Sequence, residues 1–176
     1  KNHGEFNEVD ASKIATEVFR LPADCFAEDT GSFTNSGRVI QWHWKAAEGP
    51  GESRSDIDIV AGLYSRLKAK YAKEGGAFPD PVLNLTWSYT NPASPAPAEV
   101  LREINGYVLQ DVTDPADPAK VLLRAGQQLP SFVAMTADGK TAAGCWIYTG
   151  VYTDAGNMSM RRDASDPTGK GVHPNW

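Results

Sequence analysis

The sequence is organised around one stretch of fifteen residues, Gly31-Ser32-Phe33-Thr34-Asn35-Ser36-Gly37-Arg38-Val39-Ile40-Gln41-Trp42-His43-Trp44-Lys45. Its first half is small and polar, a composition typical of tight turns with side-chain-to-backbone hydrogen bonds. From Arg38 onwards the side chains alternate, which predicts a strand over residues 38–44 with Ile40, Trp42 and Trp44 on one face. We interpret the tryptophans as core residues, and a stacking surface beside a ligand or a partner is the alternative.

A helix is predicted shortly after this strand, over Asp56–Glu74. Ser55 is a suitable N-cap with an acidic residue, Asp58, three positions on. Apolar side chains then recur at helical spacing, and Gly75 ends the pattern. We expect this helix to pack on the strand 38–44.

The remaining sequence predicts short elements separated by glycines and prolines. Residues 17–21 alternate like a half-buried strand, and a helix over residues 95–105 is expected to start at a Ser94 cap and stop at Gly106. Further strands are predicted within residues 106–110, 121–124, 132–135 and 145–149, followed by a long loop from residue 150. The fold class is therefore α/β or α+β, with an irregular appendage of short strands.

Composition limits the classes of function. The chain has 176 residues, enough for one domain or one domain with an appendage, and a net charge of -5. An acidic chain without clustered Lys and Arg is not expected to bind nucleic acid or an anionic membrane surface. No apolar run reaches the roughly 18 residues of a membrane span. Cys25 and Cys145 are interpreted as two separate, partly buried thiols, with a disulfide between them as the alternative.

Few residues are arranged for catalysis. The three histidines are far apart, no nucleophile elbow is present, and no metal-ligand spacing occurs. Two polar features remain. In the first, Thr34, Asn35 and Arg38 can contact an anionic or polar group through hydroxyl, amide and guanidinium, although an ordinary turn is the simpler interpretation. The second is the pair Arg161 and Arg162, which suits phosphate or carboxylate, or simply solvent.

Several spaced motifs resemble one enzyme family. Residues 31–41 match the pattern Gly-x-Phe-Thr-Asn-x-x-Arg-x-x-Gln of the molybdopterin oxidoreductase superfamily. The continuation Gln41-Trp42-His43-Trp44-Lys45 narrows the resemblance to selenocysteine-type respiratory and periplasmic formate dehydrogenase large subunits. So does Gly144-Cys145-Trp146-Ile147-Tyr148-Thr149-Gly150, with Gly156-Asn157 and Arg161-Arg162-Asp163 after it.

The resemblance implies a parent enzyme that oxidises formate to carbon dioxide. Its cofactors would be two molybdopterin guanine dinucleotides holding molybdenum or tungsten, with a selenocysteine or cysteine ligand, and a [4Fe-4S] cluster. Its partners would be the rest of the large subunit and a small iron–sulfur subunit, in the periplasm. The family's metal-binding and catalytic motifs do not map onto this chain, so no catalytic or metal-ligating residue is assigned here. Lys1, not methionine, stands first, and we expect an internal fragment that is inactive alone.

The same resemblance divides the chain into two parts. Residues 1–75 would end the molybdopterin-binding α/β region, and residues 76–176 would be an insertion with short strands. The candidate cofactor contacts are Thr34, Asn35 and Arg38, with Gln41 behind them. A rival hypothesis is a non-catalytic interaction module that docks a partner through its aromatic strand and the Arg161-Arg162 loop.

Overall fold

The fold is described from a computed structural model, for residues 9–37 and 39–160. It contains three α-helices, namely α1 (Asp56–Glu74), α2 (Asp80–Leu83) and α3 (Pro97–Asn105). Eight short strands accompany them, namely β1 (Gly31–Thr34), β2 (Ile40–His43), β3 (Tyr107–Val108), β4 (Val112–Asp114), β5 (Asp117–Leu123), β6 (Thr141–Ala142), β7 (Tyr152–Thr153) and β8 (Gly156–Asn157). The predicted mixed class with short strands is confirmed.

The strands form four separate antiparallel pairs within the described residues, namely β1–β2, β3–β6, β4–β5 and β7–β8. Three of these pairs are hairpins between consecutive strands, whereas β3 and β6 are joined by a long connection. Two-stranded pairs are only marginally stable alone, so they depend on packing against the helices and loops around them.

Helix α1 has the predicted bounds because its two ends are specified locally. The Ser55 hydroxyl accepts a hydrogen bond from the Asp58 amide at 3.2 Å, and Gly75 ends the helix with a φ of 68°. The Asp58 carboxylate does not complete a capping box by bonding to the Ser55 amide. It accepts a hydrogen bond from the Ser94 hydroxyl at 2.6 Å and thereby ties α1 to the segment before α3.

The main core joins β2 to α3. Ile40 and Trp42 are buried with Leu101 of α3 and Val151, so the helix that packs on this strand is α3 and not the predicted α1. The prediction that Trp42 is a core residue is confirmed, since it is 8% exposed, whereas Trp44 is 47% exposed because β2 ends one residue earlier.

Several short elements differ from the sequence prediction. Residues 17–21 form no strand, and residues 132–134 and 146–148 form single 3-10 turns where strands were predicted. Helix α3 begins at Pro97, two residues later than predicted, so Ala96 and not Ser94 is the N-cap and no side chain caps the helix. The long region after residue 150 contains β7, β8 and a 3-10 turn as far as residue 160. The two cysteines are free thiols; Cys145 is partly buried as predicted, whereas Cys25 is exposed.

Candidate functional site

The candidate contacts lie on the β1–β2 hairpin, which the sequence had suggested was a loop followed by one strand. The register pairs Phe33 with Gln41 and Thr34 with Ile40. Residues directly opposite each other share a face of the pair. Thr34 therefore lies on the face of Ile40 and Trp42, whereas Gln41 lies on the other face with Phe33.

The turn between the strands is held by its own asparagine. Asn35 Oδ1 accepts hydrogen bonds from the amides of Gly37 at 2.9 Å and Val39 at 3.4 Å. This is an Asx-type turn, in which the side chain takes the place of a backbone acceptor. Two amides that an anion could otherwise use are thereby occupied, which reduces the number of backbone donors that this turn offers to a ligand.

Thr34, Asn35 and Gln41 are all exposed in the described structure. Thr34 and Asn35 are adjacent at the hairpin end, and Gln41 lies on the opposite face, so the structure brings two of the four predicted contacts together. Arg38 lies outside the described residues, as do Arg161 and Arg162. The accessible groups, a hydroxyl and two primary amides, can donate and accept hydrogen bonds without carrying charge.

His43 is a neighbour that was not predicted as a contact. Its ring lies 5.6 Å from that of Phe33, centroid to centroid, on the same face as Gln41. Nδ1 is buried and lies 4.0 Å from Asp29 Oδ1, and it has no hydrogen-bond partner among the described residues. The alternation of the strand places His43 beside Gln41, so a signal for its position was present in the sequence.

The base of the hairpin is fastened by polar contacts. The Thr30 hydroxyl accepts a hydrogen bond from the Lys45 amide at 3.0 Å, which extends the pairing beyond β1 and β2. Lys45 Nζ donates to the Glu48 carboxylate at 2.5 Å, and this hydrogen bond raises the pKa of Lys45. The lysine therefore stays charged near neutral pH.

A second concave region of about 450 Å³ lies beside α3 and is lined by polar side chains. The Tyr89 hydroxyl donates to the Glu103 carboxylate. The pKa of Tyr89 is raised mainly by burial and secondly by this hydrogen bond. The Gln128 amide, oriented to satisfy its neighbours, donates to the Arg102 carbonyl and accepts from Arg102 Nε. These groups bond to one another, so the cleft has the character of a structural polar network.

The described residues contain no group of three or more His, Cys, Asp or Glu side chains arranged to hold a metal ion. In the same part of the chain, no helix is both long enough and apolar enough to cross a bilayer.

Comparison with known proteins identifies relatives that match the whole chain, although no family model matches it. The formate dehydrogenase-O major subunit of Escherichia coli is 53% identical over 176 residues, which are 100% of this chain and 17% of that protein. The nitrate-inducible formate dehydrogenase major subunit of the same organism is 48% identical over the same shares. Formate dehydrogenase 2 subunit alpha (cytochrome c-553) of Nitratidesulfovibrio vulgaris is 41% identical over 172 residues, 96% of this chain and 16% of that protein.

The chain thus spans about 17% of the length of these relatives. Identity of this level over the whole chain confirms the resemblance inferred from the spaced motifs. This chain is homologous to one segment of formate dehydrogenase major and alpha subunits.

Proposed function

We propose that this chain is a scaffold segment of the large subunit of a formate dehydrogenase. The observation that carries the proposal is the match of the complete chain to 17% of a formate dehydrogenase major subunit at 53% identity. The parent enzyme oxidises formate to carbon dioxide and releases two electrons and a proton. The catalytic residues and the metal ligands are assigned to parts of the large subunit outside this chain.

The parent's cofactor is proposed to be a bis-molybdopterin guanine dinucleotide with molybdenum or tungsten, which takes up the electrons, together with a [4Fe-4S] cluster. The exposed groups of the hairpin fit the organic part of such a cofactor, because pterin and guanine edges require neutral donors and acceptors. Thr34 and Asn35 supply these groups at the hairpin end, where Asn35 also fixes the turn. Gln41 supplies them on the opposite face of the hairpin. Arg38 belongs to the same motif, and we propose it as the one charged residue among these cofactor contacts.

The domain division is also a proposal. Residues 1–75 are interpreted as the end of the molybdopterin-binding region and residues 76–176 as an insertion typical of these subunits. The core contains Ile40 and Trp42 from the first part with Leu101 and Val151 from the second. We therefore expect the insertion to fold together with the first part. The proposed partners are the rest of the large subunit and a small iron–sulfur subunit, in the periplasm.

Formate-dependent reduction of a redox dye tests the proposal. The full-length large subunit in its complex should reduce the dye, whereas the separate 176-residue polypeptide should stay at the background rate. Clear turnover by the separate polypeptide would contradict the scaffold role. No turnover by a complex fully loaded with cofactor would contradict the parent reaction.

The cofactor contacts are tested by Gln41→Ala and Thr34→Val in the parent complex, with Ser32→Ala on the same hairpin as the control. Loss of one hydrogen bond costs about 0.5–1.5 kcal/mol, so we expect roughly 2- to 10-fold weaker cofactor retention for each variant. Metal content by mass spectrometry, measured after dialysis, gives the readout. Retention equal to that of the Ser32→Ala control would remove these residues from the site.

The interaction module remains a second candidate, favoured by the exposure of Phe33 and Trp44 on the aromatic hairpin. Purification of the chain from its natural source separates the two hypotheses. Recovery within a longer polypeptide that contains molybdenum or tungsten and iron supports the scaffold. Recovery as a separate cofactor-free protein supports the module.

A further inference from the structure

One face of α1 is apolar and exposed. Val60, Leu63 and Leu67 are spaced by three and four residues, so they lie on the same side of the helix. Their exposed fractions are 57%, 55% and 46%. An apolar stripe of this spacing is the side that a helix of a folded protein normally turns towards a core. These three residues are called the α1 apolar face below.

The rotation of α1 is fixed by contacts on another side of the helix. Tyr64 Oη donates to the carbonyl oxygen of Leu85 at 2.7 Å, and Lys68 Nζ donates to the same oxygen at 2.7 Å. Ala61, on that side, is 1% exposed. Because Tyr64 and Lys68 hold α1 against the segment after α2, the helix cannot roll to bury its apolar face without breaking these bonds.

The apolar face continues into a neighbouring hollow. A cavity of about 540 Å³ beside Leu63 is lined by Leu21, Pro22 and Ile59. Its lining also carries both signs of charge, from Glu52, Arg54, Asp58 and Arg66. A lining that combines apolar side chains with charges of both signs suits contact with another protein surface.

The sequence relatives indicate what covers this face. The chain matches 17% of a formate dehydrogenase major subunit, so most of that polypeptide lies outside the match. The three residues of the face are Val and Leu, whereas Trp, Tyr and Arg dominate contacts between separate subunits; the arginines Arg54 and Arg66 lie in the neighbouring cavity and not on the face itself. It therefore has the character of an internal surface of one large fold.

We propose that the α1 apolar face packs against a part of the large subunit that lies outside these 176 residues. The inference rests on the proposed function, because it takes the remainder of that subunit as the occupant. It adds the surface through which the two parts meet, with Leu63 at its centre.

Photocrosslinking in the full-length large subunit, within its complex, tests the proposal. A benzoylphenylalanine replaces Leu63 in one variant and the exposed Lys73 of the same helix in the control. After irradiation, the crosslinked peptides are identified by mass spectrometry. We expect a several-fold higher yield at position 63, joined to a peptide of the same large subunit from outside this chain.

The other outcomes overturn the proposal. The occupant is a different one if the crosslink joins a second subunit, a second copy of the large subunit or another part of these 176 residues. The face is in solvent if the crosslinking yield is no higher than that of the control. If the photoreactive variant does not accumulate, maleimide labelling of Leu67→Cys against Lys73→Cys is measured instead. Equal labelling rates of Leu67→Cys and Lys73→Cys contradict the proposal. The proposal is supported if Leu67→Cys is labelled several-fold more slowly and this difference persists without the small subunit and on dilution. Dye reduction by the unmodified complex tests the proposed function separately.

Discussion

At the scale of single residues, Asn105 connects three segments of the described chain. Its side chain is 0% exposed. Nδ2 donates to the carbonyl of Leu129 at 3.0 Å, and Oδ1 accepts from the amides of Gly150 at 2.6 Å and Tyr152 at 3.1 Å. The end of α3 is thereby joined to the strand-like segment before Pro130 and to β7. No local sequence pattern indicates this role, because the partners of Asn105 are 24, 45 and 47 residues away.

We expect Asn105→Ala to destabilise the protein strongly. Each buried amide left without an acceptor costs about 1–3 kcal/mol, so the loss should be roughly 2–6 kcal/mol. Denaturant titration of the free energy of unfolding measures it. Asn91→Ala is the control, since Asn91 is exposed and, within the described part of the chain, its side chain accepts only from the Ala93 amide at 3.2 Å. Equal losses in the two variants would show that the buried network contributes little.

Two glycines with similar φ values differ in the steric contact that an added Cβ would make. Gly106 and Gly126 have φ values of 86° and 87°. A Cβ on Gly106 would lie 2.1 Å from the carbonyl oxygen of Ala142, whereas a Cβ on Gly126 would meet nothing within 4 Å. Gly126→Ala should cost about 1–2 kcal/mol through strain alone. Gly106→Ala should cost about 1–3 kcal/mol more through overpacking. The same denaturant titration measures both variants, and equal losses of unfolding free energy would mean that the structure relaxes to relieve the contact at Gly106.

At the scale of elements, the start of α3 depends on a carboxylate. The Thr90 hydroxyl and amide donate to Glu99, at 2.6 Å and 3.1 Å to Oε1, and these bonds lower the pKa of Glu99. A lowered pKa in the folded state contributes stability above the ordinary value of 4.5, and this stability is lost as the pH falls through the folded pKa.

We therefore expect Thr90→Val to be less stable than the unmodified protein at neutral pH, with the difference narrowing below pH 4.5. The variant lacks the hydroxyl, the first cause of the lowered pKa, so the pKa of Glu99 should return towards its ordinary value. Unfolding curves at several pH values provide the measurement, and Thr90→Ser, which keeps a hydroxyl, should follow the unmodified protein. A difference independent of pH would indicate lost packing instead.

The elements also show which predictions local sequence can support. The bounds of α1 follow from Ser55 and Gly75, and both act within one turn of the helix ends. The apolar runs at 132–134 and 146–148 are too short to distinguish a strand from a turn by periodicity. In the folded chain both segments form 3-10 turns, so tertiary packing and not local sequence determines their conformation. Ser94 lies two residues before Ala96, the N-cap of α3, and its hydroxyl donates to Asp58, which is 36 residues distant.

For the site, the sequence identified the hairpin end but not the orientation of its side chains. The alternation over residues 38–44 correctly placed Ile40 and Trp42 together. Gly31–Thr34 was expected to be a loop, so the pairing that puts Thr34 and Gln41 on opposite faces was not foreseen. Register depends on two segments at once, whereas an alternating pattern describes one.

At the scale of the whole molecule, the described structure buries little of its apolar sequence. Twenty large apolar side chains are exposed, against seven apolar residues in the core. Scattered exposed apolar residues are ordinary, but three on one helix face and several along residues 9–26 indicate surfaces made for contact. A scaffold segment of a larger subunit accounts for this imbalance better than a protein that acts alone.

The same imbalance predicts opposite effects of one triple variant in two settings. Val60→Gln, Leu63→Gln and Leu67→Gln keep good helix formers but remove the α1 apolar face. In the separate chain, self-association measured by sedimentation should decrease, because less apolar surface is exposed. In the full-length large subunit, soluble yield should fall, because each buried aliphatic side chain contributes about 1.5–3 kcal/mol. A control triple variant, with Lys70, Lys73 and Glu74 each changed to Gln, should change neither the self-association nor the soluble yield strongly. If the Val60, Leu63 and Leu67 variant lowered self-association and also raised the soluble yield, the face would be exposed in the parent as well.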